Sequence, residues 1–280
     1  MLISIITPCK SNECLKNLFS LISSVNCQSS SILKRSEWIW YINGKNPEII
    51  KKYILKHTSK TITLKFFVSE NYVLPGLARN TVIQNALGKY ICIQDSDDIM
   101  LLDRLEIQMN QLEKCQSEVI FSPLLYFSTE NKLLMMKDKL RHKKSPLSSK
   151  NVNRLRLIFH CFPRNPSAFF KKDIFKYSEY HPNMLVSEDY WLWCNVMLNG
   201  GRICISSIPL VAYRCDDSFI SRRRGINYFK CDVFVKNYFL KNLFNLPGWI
   251  TYTFSCLFSL HRLLPNSLFS RLYSQTHFHK

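Results

Sequence analysis

In the stretch Gly88-Lys-Tyr-Ile-Cys-Ile-Gln-Asp-Ser-Asp-Asp98, an apolar run, residues 90–93, predicts a short buried strand entered from a glycine. Three acids within four residues end it: Asp95, Asp97 and Asp98. Carboxylates that close repel one another, and a buried strand ending in that charge is costly without a cation. Two readings stand side by side. In one, the acids meet a hard divalent ion, which takes one or two carboxylates plus the phosphates of a substrate. In the other, they form an acidic turn that caps the next helix.

Outward from this stretch the chain alternates. Residues 2–6 are a β-rich run closed by Thr7-Pro8, residues 38–42 a second strand ending at Asn43-Gly44, and residues 62–68 a third. Residues 12–25 place Leu15, Leu18, Phe19 and Ile22 at helical spacing, with Ser11 as N-cap. Residues 47–55 and 77–87 predict two more helices, and Leu102, Leu105, Met109 and Leu112 mark another. A strand over 119–127 follows, then a strand behind a turn over 163–170, a helix over 186–198, and strands over 203–206 and 210–214. This order predicts an α/β fold with a mainly parallel sheet. In such sheets the ligand sits beyond the carboxyl ends of the strands. Thr7-Pro8, Asn43 and residues 95–98 all fall at such ends, so three strands converge on one crevice with the acids at its centre.

A chain of 280 residues with 46% hydrophobic residues can bury a sizeable core as one large domain, or one domain with an appendage. The low glycine and proline counts exclude fibrous and disordered classes. The net charge of +18 points to a polyanionic partner: nucleic acid, anionic lipid or a phosphorylated small molecule. Eleven cysteines, none spaced Cys-x-x-Cys, support neither a zinc site nor a disulfide framework, and a reducing cytosolic compartment is the expectation. The opening Met-Leu-Ile-Ser-Ile-Ile-Thr-Pro lacks the features of a signal peptide and predicts a strand.

Three further segments bear on function. Residues 131–154 hold eight basic residues against Asp138, which makes either a solvated loop or a cover for an anionic substrate or membrane. Glu188 and Asp189 open the 186–198 helix behind Ser187, where they serve the helix dipole or face the crevice. Residues 222–280 carry nine basic residues and one acid, Asp232, and residues 242–260 carry no charge at all. That stretch is too polar and interrupted to span a membrane. It reads either as helices lying at an anionic membrane surface or as a helical subdomain packed on the core. Arg222, Arg223 and Arg224 suit phosphate oxygens.

In their order these motifs resemble the family-2 inverting glycosyltransferases of GT-A fold, over residues 2–221. The matching segments are Ser4-Ile-Ile-Thr-Pro8, Glu37-Trp-Ile-Trp-Tyr-Ile-Asn-Gly44 and Leu77-Ala-Arg-Asn80. The 86–99 stretch, Leu102-Asp-Arg-Leu-Glu106, Asn165-Pro-Ser167, Glu188-Asp-Tyr-Trp-Leu-Trp193 and Tyr213-Arg214 with Ser221 complete them. The resemblance implies a Rossmann-like nucleotide-diphospho-sugar transferase domain, residues 1–221, with a basic, aromatic helical segment, residues 222–280.

The same resemblance implies roles. Asp95-x-Asp97 would place Mn²⁺ or Mg²⁺ against the donor diphosphate, with Asp97 as direct ligand and Asp95 reaching towards the ribose. Thr7, Pro8 and Asn43 would line the base pocket, and Arg79 would help hold the nucleotide. Asp189 would be the general base, with Glu188 and Trp191 on the acceptor side. The chain departs from the family pattern at Asn43, which stands where an acid is common, and at Lys10 after Cys9. It departs again at Asp216, which stands near a usual histidine and becomes a third candidate metal ligand. The expected donor is a UDP-sugar and the acceptor a glycan or lipid-linked hydroxyl, in lipopolysaccharide, capsule or other surface-polysaccharide synthesis. The expected location is the cytoplasmic face of the cell membrane, where the protein is peripheral. A catalytically inactive scaffold and a basic nucleic-acid-binding protein are the alternatives.

Overall fold

The computed structural model describes residues 1–101, 103–127, 149–159, 164–215 and 221–277. Three strands whose residues are nearly all buried, Ile3–Lys10 (β1), Ser36–Asn43 (β2) and Tyr90–Ile93 (β4), lie at the middle of the main sheet. Burial on both faces explains why isoleucine and aromatic residues dominate them, and the buried Ser4 and Glu37 satisfy each other, the Ser4 hydroxyl donating to Glu37 Oε1 at 2.6 Å. Thr63–Ser69 (β3) lies outside β2, and β3, β2, β1 and β4 all run parallel. Beyond β4 come Phe169–Lys171 (β9), Val119–Phe121 (β6), Ile203–Ser206 (β10) and Ser149–Asn151 (β8), completing the order β3-β2-β1-β4-β9-β6-β10-β8. β9 is antiparallel to both β4 and β6, so the sheet is mixed, though mainly parallel.

Side chains alternate between the two faces, and each face has its own core. Ile3, Ile5, Trp38, Trp40 and Cys92 pack beneath Leu15–Asn26 (α1), Pro47–His57 (α3) and Arg104–Lys114 (α5). Ile6, Ile39, Ile91, Ile93 and Phe121 face Pro75–Gln84 (α4), Glu188–Leu198 (α7) and Ile226–Phe244 (α8). Short helices Ser30–Leu33 (α2) and Arg156–Phe159 (α6) fill the edges, and Gly248–Ser259 (α9) and Asn266–His277 (α10) follow α8. α8 shares the main core through Val235, Phe239 and Leu240. The segment after residue 222 therefore packs on the core, and it also presents apolar side chains outward from α9.

The expected strand over 119–127 is two strands. It breaks at Ser122-Pro123, where proline has no N–H for a ladder. The chain then enters a second sheet, in which Leu124–Phe127 (β7) pairs with Val211–Arg214 (β11), and β11 with Ile99–Met100 (β5). Two expected caps also differ. α1 begins at Leu15 with Cys14 before it, and Glu13, not Ser11, accepts the Cys14 N–H at 3.1 Å. Ser187 does precede α7, but its backbone is left-handed (φ 63°) and its hydroxyl donates to Asp232 Oδ1 at 3.3 Å.

The register sets the crevice. Ile6 pairs with Ile93, so β1 continues four residues past the end of β4, and Lys10 pairs with Asn43. The Asp95–Asp98 turn therefore leaves β4 alongside Thr7, Pro8 and Cys9. Arg104 fastens it from below. Its fully buried guanidinium donates to Ile93 O (2.9 Å), Pro166 O (3.1 Å) and Gln94 Oε1 (2.7 Å), and its Nε donates to Gln108 Oε1 (2.8 Å). Those carbonyls are satisfied by a charge that needs several acceptors to be tolerated in the interior.

Candidate active site

The acidic turn is pinned between the two sheets. The Arg214 N–H donates to Asp98 Oδ1 at 2.8 Å, and Arg214 Nε donates to the Asp97 carbonyl at 2.9 Å. Asp98 is fully buried and its Oδ2 has no partner, so it holds β11 to the turn and faces no crevice. Asp95 and Asp97 remain half-buried. Glu13, from the loop before α1, enters from the other side and accepts the Ser96 hydroxyl at 3.0 Å. Burial, with the charges of Asp95 and Glu13, holds the Asp97 carboxyl up to about 6. Burial, with Asp97 and Asp95, also lifts Asp98 well above the ordinary aspartate range.

Arg79, on the second turn of α4, joins this turn to α7. It donates through Nη1 to Glu188 Oε1 at 2.8 Å and through Nη2 to Asp95 Oδ1 at 3.2 Å. The Tyr180 ring lies beneath the guanidinium, 5.6 Å from its centre. Tyr180 is itself held by Asn80, which accepts its N–H (3.0 Å) and donates to its carbonyl (2.7 Å), and its hydroxyl donates to Asn165 (2.8 Å). Burial works against the Arg79 charge, yet Asp95 and Glu188 outweigh it and raise its pKa. α4 and α7 approach so closely because Gly76 has no side chain. A Cβ there would lie 2.7 Å from His181 O and 3.2 Å from the Glu188 Cβ.

Glu188 and Asp189 sit together at the α7 N-terminus. Asp189 Oδ1 accepts the Tyr190 N–H at 2.8 Å. Burial raises its pKa against the pull of Arg79 and that N–H. Glu188 is raised by burial and by the Asp189 charge, with Arg79 opposing. A partly desolvated carboxylate with a raised pKa is a better proton acceptor than an aspartate in water. The site thus joins an acidic turn, a bridging guanidinium and a carboxylate of raised pKa at a helix end.

Other expected site residues are placed differently. Thr7 is buried and its hydroxyl accepts the Trp38 indole N–H at 2.9 Å, while Pro8 is half-buried at the crevice edge. The Asn43 amide is spent on the loop before α4, donating to Val73 O (2.8 Å) and accepting the Val73 N–H (3.2 Å). Trp191 stacks on Phe234 and contacts Tyr238 and His181, so the structure places it at the seam between α7 and α8. Asp216 lies outside the described residues. Of the arginine run, Arg223 donates to the Tyr213 hydroxyl and Arg224 to Leu264 O. Glu13 and Tyr180 were not legible as site residues. A lone glutamate before a helix reads as a cap, and a lone tyrosine as core.

The donor chemistry fits a hard divalent ion. Burial first, and then the charges of Asp95 and Glu13, raise the Asp97 carboxyl, and a cation there would relieve all three. Among the described residues no three acidic, histidine or cysteine side chains converge into a complete metal site. A hard divalent ion can take one or two carboxylates and complete its shell with the phosphates of a substrate.

A family model, glycosyl transferase family 2, matches residues 4–177. Two curated relatives are similar. The chain is 31% identical over 182 residues to the uncharacterized glycosyltransferase MJ1057 of Methanocaldococcus jannaschii, covering 64% of this chain and 60% of that one. It is 24% identical over 261 residues to the amylovoran biosynthesis glycosyltransferase AmsE of Erwinia amylovora, covering 93% of each. Among solved structures, S. aureus TarS 1-349 in complex with UDP-GlcNAc superposes with a TM-score of 0.66 at 18% identity, over 100% of this chain and 76% of that one. GalNAc-T7 with UDP, GalNAc and Mn²⁺ superposes with a TM-score of 0.58 at 12% identity, over 99% and 58%. These likenesses show the GT-A fold.

Proposed function

The chain belongs to glycosyl transferase family 2, and on that premise we propose that it inverts the anomeric centre of a UDP-sugar while moving the sugar to a hydroxyl of a glycan or lipid-linked acceptor. The observation that carries this reading is Arg79, which ties the donor-side Asp95 to Glu188 beside Asp189. Asp189 takes the proton of the acceptor hydroxyl as that oxygen attacks the anomeric carbon. The bond to the diphosphate breaks on the opposite face, and the nucleoside diphosphate leaves with the electron pair. Glu188 and Arg79 orient the acceptor and hold the Asp189 carboxylate in place. Asp97 and Asp95 would hold Mn²⁺ or Mg²⁺, which supplies Lewis-acid neutralisation of the leaving diphosphate when bound.

UDP-GlcNAc in the TarS complex supports the choice of donor nucleotide, Mn²⁺ in GalNAc-T7 supports the ion, and the likeness to AmsE supports polysaccharide biosynthesis. The uncharged 242–260 stretch within a basic segment supports work at the inner face of the cell membrane, as a peripheral protein. No described helix is long and apolar enough to cross a membrane.

The test uses released UDP from a panel of UDP-sugars and acceptors. Asp189→Asn is expected to lower the rate by about 10²–10⁴-fold, the usual worth of a general base. Asp97→Ala is expected to abolish turnover and metal dependence together, with both variants still unfolding in one cooperative transition. Because the Asp189 pKa is raised, the rate should climb with pH through a limb above the ordinary carboxylate range and lose that limb in Asp189→Asn. Full activity in both variants overturns the assignment.

A further inference from the structure

Helix α9 is inside out. Its buried stripe is Thr251, Ser255 and Ser259, each 0% exposed, while Trp249 (73%), Tyr252 (55%), Phe254 (48%) and Leu257 (57%) face outward. The buried stripe is polar for a reason. The Thr251 hydroxyl donates to Asn237 Oδ1 of α8 at 2.6 Å, and the fully buried Lys236 donates to Ser259 Oγ and Phe258 O, both at 3.2 Å. The hairpin of α8 and α9 is thus held by hydrogen bonds between polar faces, and its large apolar side chains are left over. Leu260 and Leu263, in the turn that follows α9, and Leu268 of α10 are exposed as well. A patch of this kind marks a surface that leaves water.

We propose that the outward face of α9, together with Leu260, Leu263 and Leu268, docks into the headgroup region of an anionic lipid bilayer. Its chemistry selects that occupant. Tryptophan and tyrosine at the edge of an apolar face are the side chains that settle at a membrane interface. The charges exposed among the described residues of α8 and α10, Lys230, Lys241 and Arg271, are all basic, and α9 itself carries none. The one acid after residue 221, Asp232, is buried in ion pairs with Arg262 (2.8 Å) and Lys236 (3.8 Å). A second copy of the chain would bring like charges together across this face, whereas an anionic leaflet complements them. At 12 residues α9 is far shorter than the roughly 20 needed to span a bilayer. The helix therefore lies on the membrane.

This deepens the peripheral location proposed above and rests on it for its purpose, but it is tested without any sugar transfer. The full chain is sedimented with phosphatidylcholine vesicles, with and without phosphatidylglycerol. Wild type is expected to pellet with the anionic vesicles, less so in high salt. Trp249→Ser with Leu257→Ser is expected to cut the bound fraction about tenfold, and Lys241→Glu with Arg271→Glu to remove the preference for phosphatidylglycerol. A wild-type shift in melting temperature on adding UDP-GlcNAc and Mn²⁺, retained by both variants, shows that they fold and bind donor. Wild type that stays in the supernatant with both vesicles overturns the proposal while leaving the transferase reading intact. Unchanged pelleting of the Trp249/Leu257 variant overturns it too, as does a dimer in lipid-free buffer that those two changes dissociate.

Discussion

A guanidinium shared between two carboxylates fixes both acids at once, because neither can leave without stranding a buried charge. Arg79 does this for Asp95 and Glu188, so a lysine there, with no fork, cannot replace it. Asp98 shows the opposite condition. It has a single N–H donor on Oδ1 and an unpartnered Oδ2, and burial, with Asp97 and Asp95 nearby, raises its pKa well above the ordinary value. An acid whose pKa is raised by folding stabilises the fold below its unfolded pKa, about 4, and loses that contribution as pH rises through the folded value. Asp98→Asn keeps the acceptor for Arg214 and carries no charge to bury. In chelator, its melting temperature relative to wild type should therefore rise steadily from pH 4 to pH 8. A constant difference across that range would show that Asp98 is not the buried charge it looks to be. The acidic cluster was visible from spacing alone, but a metal site and a capping turn stood side by side there, and only the resemblance gave Asp95-x-Asp97 its role. The partner that fixes Asp98 was not visible, because Arg214 lies 116 positions away.

At the scale of elements, the approach of α4 to α7 brings Arg79 to Glu188, and Gly76 permits it. Alanine in a helix is ordinarily worth about 1 kcal/mol more than glycine. Here its Cβ would meet a backbone carbonyl and the Glu188 side chain, and overpacking of that kind costs roughly 1–3 kcal/mol. Gly76→Ala is expected to lose stability on balance and to lower kcat more than donor affinity, because it displaces the first turn of α7. A thermal unfolding series paired with steady-state kinetics checks this, and a more stable Gly76→Ala with unchanged kcat would refute it. The helices and the early strands were legible because their apolar spacing is local. The split of residues 119–127 into β6 and β7 was visible only as Pro123, and the antiparallel course of β9 was not visible at all. Strand direction is decided by the path of the chain between strands, which no single run of residues encodes.

Across the whole molecule, the donor would bind at the edge where β1, β2 and β4 end, between the two helix layers and against the second sheet. A ligand that binds only the folded chain stabilises it by about 2.7 kcal/mol at a concentration one hundred times its Kd. UDP-GlcNAc with Mn²⁺ should accordingly raise the melting temperature by several degrees, and chelator should remove most of that gain in wild type but little in Asp97→Ala. Equal shifts with and without chelator would remove the metal from donor binding. The α/β alternation, the acids after a buried strand and the basic final segment with its uncharged middle could all be read along the chain. Each of these is a local pattern set by side-chain size, charge and period. Folding alone brings Arg79 to Glu188, 109 positions away, and Glu13 to Ser96. It also decided that Thr7 and Asn43 spend their polar groups inward and that α9 turns its aromatic side outward. Those are contacts between segments remote in sequence. Each leaves at most a single residue as its trace, and the hydrophobic pattern of α9 alone would have buried the face that the polar pairing with α8 leaves exposed.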